Sequence, residues 1–237
     1  METSQAVVAI DGPSGSGKSS TSRGVARSLG LAYLDTGAMY RAMAWYMLDQ
    51  GIDICDDRAV AAAASRPTLI STTDPDAPTI AVDGADVSVA IRGGEVTAAV
   101  SAVAAVPEVR AVLLARQRQH VTDSLAAGRG IVVEGRDIGT TVLPDATAKV
   151  FLTADAQARA ARRALEDAAR AGAAGPAAEE VAATAASLAA RDAIDSGRAA
   201  SPLRRADGAV HVDGTFMSLD EVIATVVGIV REACAEA

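Results

Sequence analysis

The sequence predicts an α/β fold in which helices cover both faces of a central parallel β-sheet. Short apolar runs typical of buried strands alternate with longer helical segments along the chain. The first run, Val7–Ile10, is followed at once by the glycine-rich pattern Gly-x-x-x-x-Gly-Lys-Ser over residues 12–19. Because consecutive parallel strands need a crossover connection, this alternation favours a parallel sheet. A ligand is then expected outside the carboxyl ends of the strands, where the glycine-rich loop lies.

Residues 12–19 are predicted to be a phosphate-binding loop. Glycine is needed where the chain curls so that successive backbone N–H groups point at phosphate oxygens. Lys18 is expected to reach the β- and γ-phosphates of a nucleotide, and the Ser19 hydroxyl to bind Mg²⁺. The chain contains only two lysines, Lys18 and Lys149, against twenty arginines. A lysine retained at this position therefore indicates a need for its compact, flexible ammonium group.

The elements of the first half are predicted from periodicity and from residues that end helices. We expect a strand over 6–10, a helix over 18–29 that ends at Gly30, a strand over 32–35 and a helix over 36–50 that ends at Gly51. Strand-like segments over 68–71 and 79–82, followed by a turn at Asp83-Gly84, indicate a small β insertion between about 67 and 92.

The second half continues the alternation of helix and strand. We expect helical structure over 95–127 with a break at Pro107, strands over 130–134, 148–152 and 209–213, and a closing helix from Ser218. Between the last two strands lie Arg-rich and Ala-rich helices, separated by a break over 172–176.

Composition limits the class of ligand. The 237-residue chain has a formal net charge of −8 and only 3% aromatic residues, so neither a broad basic surface nor a stacking platform for nucleic acid is expected. Cys55 and Cys234 lie far apart, and His120 and His211 have no ligand-like spacing, which disfavours a disulfide framework and a zinc site. No secretory leader and no apolar run of about 20 residues is found, so we expect a cytoplasmic protein with no membrane partner.

Three further clusters place hydroxyl groups, glycines and arginines at the ends of predicted elements. They cover residues 35–41, 135–140 and 191–198. A single arginine in such a place usually forms only a solvated ion pair, but three clusters together indicate a small anionic substrate. A switch GTPase would read guanine through an Asn-Lys-x-Asp motif, and this chain contains no asparagine. A phosphotransferase or an ATPase remains.

Together these motifs resemble those of the bacterial cytidylate kinases over essentially the whole chain. The resemblance rests on Ile10–Gly15, Asp35–Arg41, Ser101 with Pro107–Arg110, Gly135–Thr140, Arg191–Arg198 and Ser201–Leu203. It implies the P-loop nucleoside monophosphate kinase fold, with a core of residues 1–64, 104–155 and 206–237, a nucleotide-monophosphate-binding insertion over 65–103 and a helical lid over 156–205. It also implies transfer of the γ-phosphoryl group of ATP to CMP or dCMP, giving CDP or dCDP and ADP, with Mg²⁺.

The resemblance assigns roles on the acceptor side of the reaction. Thr36, Arg41 and Arg136 would hold the acceptor nucleotide near its phosphate. Ser101, Arg110 and Asp137 would read the cytosine edge. Arg191 and Asp195 would meet the sugar, Arg198 a phosphate, and Arg92 would add a contact from the insertion. Of these residues, Arg136 and Arg198 are also expected to act in catalysis with Lys18.

On the ATP side, the expected contacts come from the loop and from the lid. The loop residues are Gly12, Pro13, Ser14, Gly15, Ser16, Gly17, Lys18, Ser19 and Ser20. Whether Ser19 or Ser20 is the hydroxyl on the metal side stays open. In the lid, Arg159, Arg162 and Arg163 stand at i, i+3 and i+4, so they share a helix face that could close over the phosphates. An exposed basic face is an equally good interpretation of this spacing.

Two other functions fit part of the sequence. One is a different small-molecule P-loop kinase, such as a shikimate, gluconate or adenylate kinase; the other is a non-catalytic nucleotide-binding sensor. The pairing of Ser101 with Arg110 and the β insertion disfavour the first, and the retained Lys18 disfavours the second. The expected partners are CMP or dCMP and ATP, with no nucleic acid. A monomer is expected because no interface patch stands out.

Overall fold

The computed structural model describes residues 2–170, 172–197 and 202–236. The strands are β1 (Val7–Asp11), β2 (Ala32–Asp35), β3 (Leu69–Ser71), β4 (Ile80–Val82), β5 (Ala85–Asp86), β6 (Ile131–Gly135), β7 (Ala148–Thr153) and β8 (Val210–Asp213). The helices are α1 (Lys18–Leu29), α2 (Thr36–Asp49), α3 (Asp57–Ala63), α4 (Gly94–Val103), α5 (Pro107–Ala126), α6 (Ala156–Arg170), α7 (Ala178–Gly197) and α8 (Leu219–Glu236). Short helical turns cover Thr3–Gln5, Ala90–Arg92 and Ile138–Val142.

Five strands form one sheet in the order β2-β6-β1-β7-β8, and every neighbouring pair is parallel. Successive residues of β1 face opposite sides of this sheet, as the pleat requires. Val8 and Ile10 pack in a core with helices α1 and α8, whereas Ala9 packs in a second core with helices α2 to α5. The predicted parallel sheet with helices on both faces is therefore confirmed.

The three remaining strands form a small antiparallel sheet in the order β3-β4-β5. The turn between β4 and β5 is the predicted Asp83-Gly84 pair, whose φ angles are 50° and 86°. A tight hairpin turn needs positive φ at both central residues, which Gly adopts freely and Asp tolerates better than most residues. The small sheet lies within the predicted insertion, and Leu69, Ile80 and Val82 join the core beneath α2.

Most predicted boundaries agree with the structure to within one or two residues. Helix α1 begins at Lys18 and ends before Gly30, whose φ of 68° closes the helix in the left-handed conformation. Pro107 occupies the first turn of α5, where its missing N–H has no partner to lose. Helix α3 was not predicted, because seven residues are too few to show a helical period; its only signal is Asp56, which caps the helix.

None of the described helices is by itself long and apolar enough to cross a membrane. Helices α4 and α5 pass that test only as a pair, and they are bent by 100° at the break between them. In the fold, Val96, Val100 and Val103 of α4 are buried in the core.

Candidate active site

A cleft of about 710 Å³ lies at the carboxyl ends of β1, β2 and β6. The glycine-rich loop forms one side, and residues that follow β2 and β6 form its floor. The insertion and helix α5 contribute the opposite wall. This is the position that the parallel sheet and the loop predict for the ligand.

The loop needs glycine for two separate reasons. A Cβ on Gly12 would lie 2.0 Å from the carbonyl oxygen of Leu152 on β7, so only glycine allows the loop to start against this strand. Gly15 and Gly17 have φ angles of 76° and 89°, which side-chain-bearing residues rarely adopt. The Lys18 ammonium donates to the carbonyl oxygen of Pro13 at 2.7 Å, and Ser16 is the most buried serine of the loop. The loop residues that line the cleft are Ser14, Gly15, Gly17, Lys18, Ser19 and Ser20.

Glu134, at the end of β6, is a site residue that sequence reasoning missed. Its side chain is buried and accepts hydrogen bonds from the Ser19 hydroxyl at 3.0 Å and from the Tyr33 hydroxyl. Burial raises the pKa of Glu134, the nearby Asp35 raises it further, and Lys18 opposes the change. The available signal was a single carboxylate that ends the apolar run Ile131–Val133.

Lys18 has the opposite shift. Burial lowers the pKa of its ammonium group, and the charge of Arg136 lowers it further. The carboxylates of Glu134, Asp11 and Asp192 act in the other direction. The site thus holds a cation in a setting that favours any additional negative charge, such as that of a phosphate.

Asp11, at the end of β1, was also missed. Its two carboxylate oxygens accept the backbone N–H groups of Ile138 at 2.8 Å and Gly139 at 2.7 Å. These bonds tie the end of β1 to the turn that follows Arg136 and Asp137. Asp11 therefore fixes the backbone that presents both of these predicted site residues to the cleft.

On the acceptor side, the structure brings together the predicted base-reading residues. Arg110 of α5 forms an ion pair with Asp137, and its guanidinium lies over the ring of Tyr40 at 5.6 Å from the ring centre. Arg110 also donates to the carbonyl oxygen of Ala104 at 3.4 Å. Ser101 of α4 lines the same cleft. The guanidinium donors of Arg110 and the carboxylate of Asp137 thus lie side by side on one wall of the cleft.

The predicted phosphate-side residues of the acceptor lie at the floor and on the insertion side. Thr36 donates to the carbonyl oxygen of Glu134 at 2.7 Å. Arg41 donates to the hydroxyl of Thr97 at 2.9 Å, and Arg92 lies 4.0 Å from the carboxylate of Asp35. All three predicted residues line the cleft, as does Arg136.

The three arginines of the predicted lid have different partners. Arg163 lines the cleft and donates to Asp167 at 3.0 Å, whereas Arg159 donates to the carbonyl oxygen of Ser14 at 3.0 Å and pairs with Asp192. Arg162 points to the loop after β8, where it donates to the carbonyl oxygen of Gly214 at 2.6 Å. Although the three arginines share a helix face, Arg163 lies at the cleft, Arg159 at the phosphate loop and Arg162 at the loop after β8.

Part of the predicted site cannot be placed. Arg198 lies outside the described residues, as do the side chains of Arg191 and Asp195. The backbone of the last two residues belongs to helix α7.

The hydroxyl of Ser19 and the carboxylate of Glu134 could hold a divalent cation. Both offer the hard oxygen ligands that Mg²⁺ prefers. Within the described part of the chain, no group of three or more His, Cys, Asp or Glu residues could hold a metal ion. Mg²⁺ at this place would take its other ligands from water and from the phosphate oxygens of a bound nucleotide.

A glycine-rich phosphate loop with its lysine, set at the carboxyl end of a parallel sheet and faced by acceptor-side arginines, defines a P-loop phosphotransferase. Comparison with known proteins names the family. The family model described as "Cytidylate kinase" matches residues 8–232. The chain belongs to the cytidylate kinase family and is a kinase, which confirms the resemblance and disfavours both alternative functions.

Two relatives illustrate the match. The cytidylate kinase of Streptomyces coelicolor is 59% identical over 226 residues, which cover 95% of this chain and 93% of the relative. That of Streptomyces griseus subsp. griseus is 56% identical over 228 residues, which cover 96% of this chain and 94% of the relative. Among solved structures, a gluconokinase from Sinorhizobium meliloti 1021 matches with a TM-score of 0.45 and 16% identity, covering 97% of this chain and 93% of that chain.

Asp11 gives the fold a pH dependence that can be measured. Burial raises the pKa of this carboxyl from 3.8 to about 6, and its two backbone donors oppose the change. The folded state thus binds the proton more tightly than the unfolded chain. The contribution of Asp11 to the free energy of unfolding therefore falls as the pH rises from 3.8 to about 6. Asp11→Asn does not titrate. The free energy of unfolding of the wild type, minus that of Asp11→Asn, should fall between pH 4 and pH 7 by at most about 3 kcal/mol.

Chemical denaturation of both proteins at pH 4, 5, 6 and 7 measures this difference. Taking the difference removes the titration of groups that the two proteins share. A difference that stays constant would show that the Asp11 carboxyl keeps an ordinary pKa in the fold, and one that rises with pH would show that the fold lowers this pKa; either result would contradict the prediction.

Proposed function

We propose that the protein transfers the γ-phosphoryl group of ATP to CMP or dCMP, giving CDP or dCDP and ADP. The observation that carries this proposal is the joint position of two parts in one cleft. The phosphate loop with Lys18 lies on one side, and the pair of Arg110 and Asp137 lies on the other. A donor nucleotide and a planar base can therefore be held in the same cleft.

The reaction needs no dedicated base in this site. The attacking atom is an oxygen of the CMP phosphate, which is already anionic at neutral pH. The chain has to bring two anions together in line and to stabilise the charge that spreads over the transferred group. Lys18, the N–H groups of the loop, Arg41 and Arg136 are the groups we assign to this task.

We assign cytosine recognition to Ser101, Arg110 and Asp137. Arg110 can donate to the O2 and N3 acceptors of cytosine, and Asp137 or Ser101 can accept from the exocyclic amine. Uracil has a donor at N3 and an acceptor at O4, so it would leave buried polar groups unpaired. Such a mismatch is worth about 1–3 kcal/mol.

We assign Mg²⁺ to Ser19 and Glu134. When bound with ATP, Mg²⁺ would neutralise part of the charge on the β- and γ-phosphates. The hydrogen bond between Ser19 and Glu134 supports Ser19, rather than Ser20, as the hydroxyl on the metal side.

We also propose that residues 65–103 form the acceptor-binding insertion and that 156–205 form the lid. The insertion brings Arg92 and Ser101 to the cleft, and the lid brings Arg163. The net charge of −8 supports a partner set of small anions without nucleic acid. A cytoplasmic monomer without a membrane partner completes the proposal.

The activity is tested by ADP release from ATP with CMP, dCMP, UMP, AMP, shikimate or gluconate as acceptor. CMP and dCMP should be used best.

Lys18→Met should lower the rate by about 10³-fold, because it removes the cation at the transferred phosphate. Lys149→Met is the matched control: the only other lysine in the chain donates to a backbone carbonyl outside the cleft at 3.2 Å, and its loss should leave the rate unchanged. A Lys18→Met enzyme with normal turnover would rule out the proposed mechanism.

Base recognition is tested by Arg110→Met. The change removes the donors to cytosine but nothing from the phosphate loop, so kcat/KM for CMP should fall by about 10²-fold while ATP affinity changes little. The preference for CMP over UMP should narrow as well. Arg58→Met, which alters an exposed arginine of α3, serves as the control for the loss of one positive charge. If the change weakened ATP binding as much as it lowered kcat/KM for CMP, the assignment of Arg110 to the cytosine would be contradicted.

The metal-side hydroxyl is tested by comparing Ser19→Ala with Ser20→Ala. Only the first change removes an oxygen next to Glu134, so the Mg²⁺ concentration for half-maximal rate should rise about tenfold for Ser19→Ala and little for Ser20→Ala. Titration of Mg²⁺ at saturating ATP and CMP measures both values. If this Mg²⁺ concentration rose more for Ser20→Ala than for Ser19→Ala, Ser20 would be the metal-side hydroxyl and the assignment of Ser19 would be wrong.

A further inference from the structure

Asp192, in the last third of helix α7, connects the lid to the phosphate loop. One oxygen of its carboxylate accepts the backbone N–H of Ser14 at 3.3 Å. The other oxygen accepts a hydrogen bond from Arg159 of α6. Arg136, at the end of β6, lies 3.8 Å from the first oxygen. The carboxylate is thus held by three positive or partly positive groups from three different parts of the chain.

These three groups are suited to a phosphate. A backbone N–H of the glycine-rich loop and two guanidinium groups are the donors that bind phosphate oxygens most strongly. Ser14 and Arg136 line the cleft in which the nucleotide is expected. In the structure, a carboxylate of the chain itself takes their hydrogen bonds.

A phosphate group and Asp192 cannot both use these donors fully. The donors are few, and two anions at close range repel each other when they are shielded from water. Only about 18% of the side chain of Asp192 is exposed, so solvent screens this repulsion weakly. The negative charge of Asp192 is also close enough to Lys18 to act on the pKa of its ammonium group, in the direction opposite to burial.

We propose that Asp192 is a positioning residue that takes the place of a phosphate in the nucleotide-free enzyme. It keeps Arg136 and Arg159 oriented toward the phosphate loop and holds α7 against the loop. The phosphates of ATP displace it, take over its donors and release α7. This inference rests on the proposed function only in naming ATP as the natural ligand.

Competition of this kind has a measurable consequence for affinity. The ligand must displace the carboxylate before it binds, so the apparent dissociation constant equals the intrinsic one divided by the fraction of molecules in which Asp192 has left the site. Removal of the negative charge at this position should therefore strengthen the binding of a polyphosphate. A residue that only supported the arginines would have the opposite effect when altered.

The test is calorimetric titration of ATP and of inorganic tripolyphosphate into four proteins. Asp192→Asn keeps the shape of the side chain and loses its charge, and it should bind both ligands about tenfold more tightly than the wild type. Asp192→Glu keeps the charge and should stay within about threefold of the wild type. Glu179→Gln removes the same charge from the first turn of α7 and should change nothing. Unchanged or weaker binding by Asp192→Asn would overturn the proposal.

A second measurement needs no variant. Hydrogen exchange of the amides over 178–197 in the wild type should become faster when tripolyphosphate alone is added, because α7 loses its bond to the loop. Unchanged or slower exchange would also overturn the proposal. Neither test requires phosphoryl transfer, so a chain that fails the ADP assay can still pass them, and the two proposals fail independently.

Discussion

The hydrogen bonds of Glu134 hold the site together. Its carboxylate accepts from Ser19 on the phosphate loop and from Tyr33 on β2, and its carbonyl oxygen accepts from Thr36 at the start of α2. One residue at the end of a central strand thus joins the ATP side of the cleft to the acceptor side. A buried carboxylate is unfavourable without such partners, so the bonds from Ser19 and Tyr33 stabilise Glu134 in this position, and the bond from Thr36 connects the same residue to α2.

The same constraint explains why the charged residues of the cleft lie where they do. Parallel strands end at one edge, and the pairing of Asp35 with Glu134 across β2 and β6 places two carboxylates side by side there. Asp11 ends β1 one residue further along, opposite Gly135 of β6. The loop, Arg136 and Lys18 then supply the opposite charge. Carboxylates and cationic groups thus lie close together in the cleft, and the negative charge of a nucleotide phosphate would change the net electrostatic energy of both sets.

Local features of the fold could be predicted from the sequence because they depend on neighbouring residues. The helix that begins at Lys18 and the Asp83-Gly84 turn are of this kind. Glu134, Tyr33 and Asp192 could not be recognised in this way, since their partners are brought in by strand register and by the packing of α7. The partner of Arg162 could not be predicted for the same reason. Helical spacing shows which residues share a face of the helix, but it does not show which part of the fold packs against each turn of that face.

The bond between Arg162 and the loop after β8 limits how the proposed lid over 156–205 could move. Close by, the backbone N–H of Asp155 donates to the hydroxyl of Thr215 at 2.9 Å, so the start of α6 is fastened to the core at two points. Ala160 and Ala164 of the same helix are buried. A rigid swing of the whole 156–205 segment would have to break these contacts together. If the proposed lid closes with these contacts intact, the movement must lie in the chain beyond α6, where Gly172 has a φ of 72° and α7 follows.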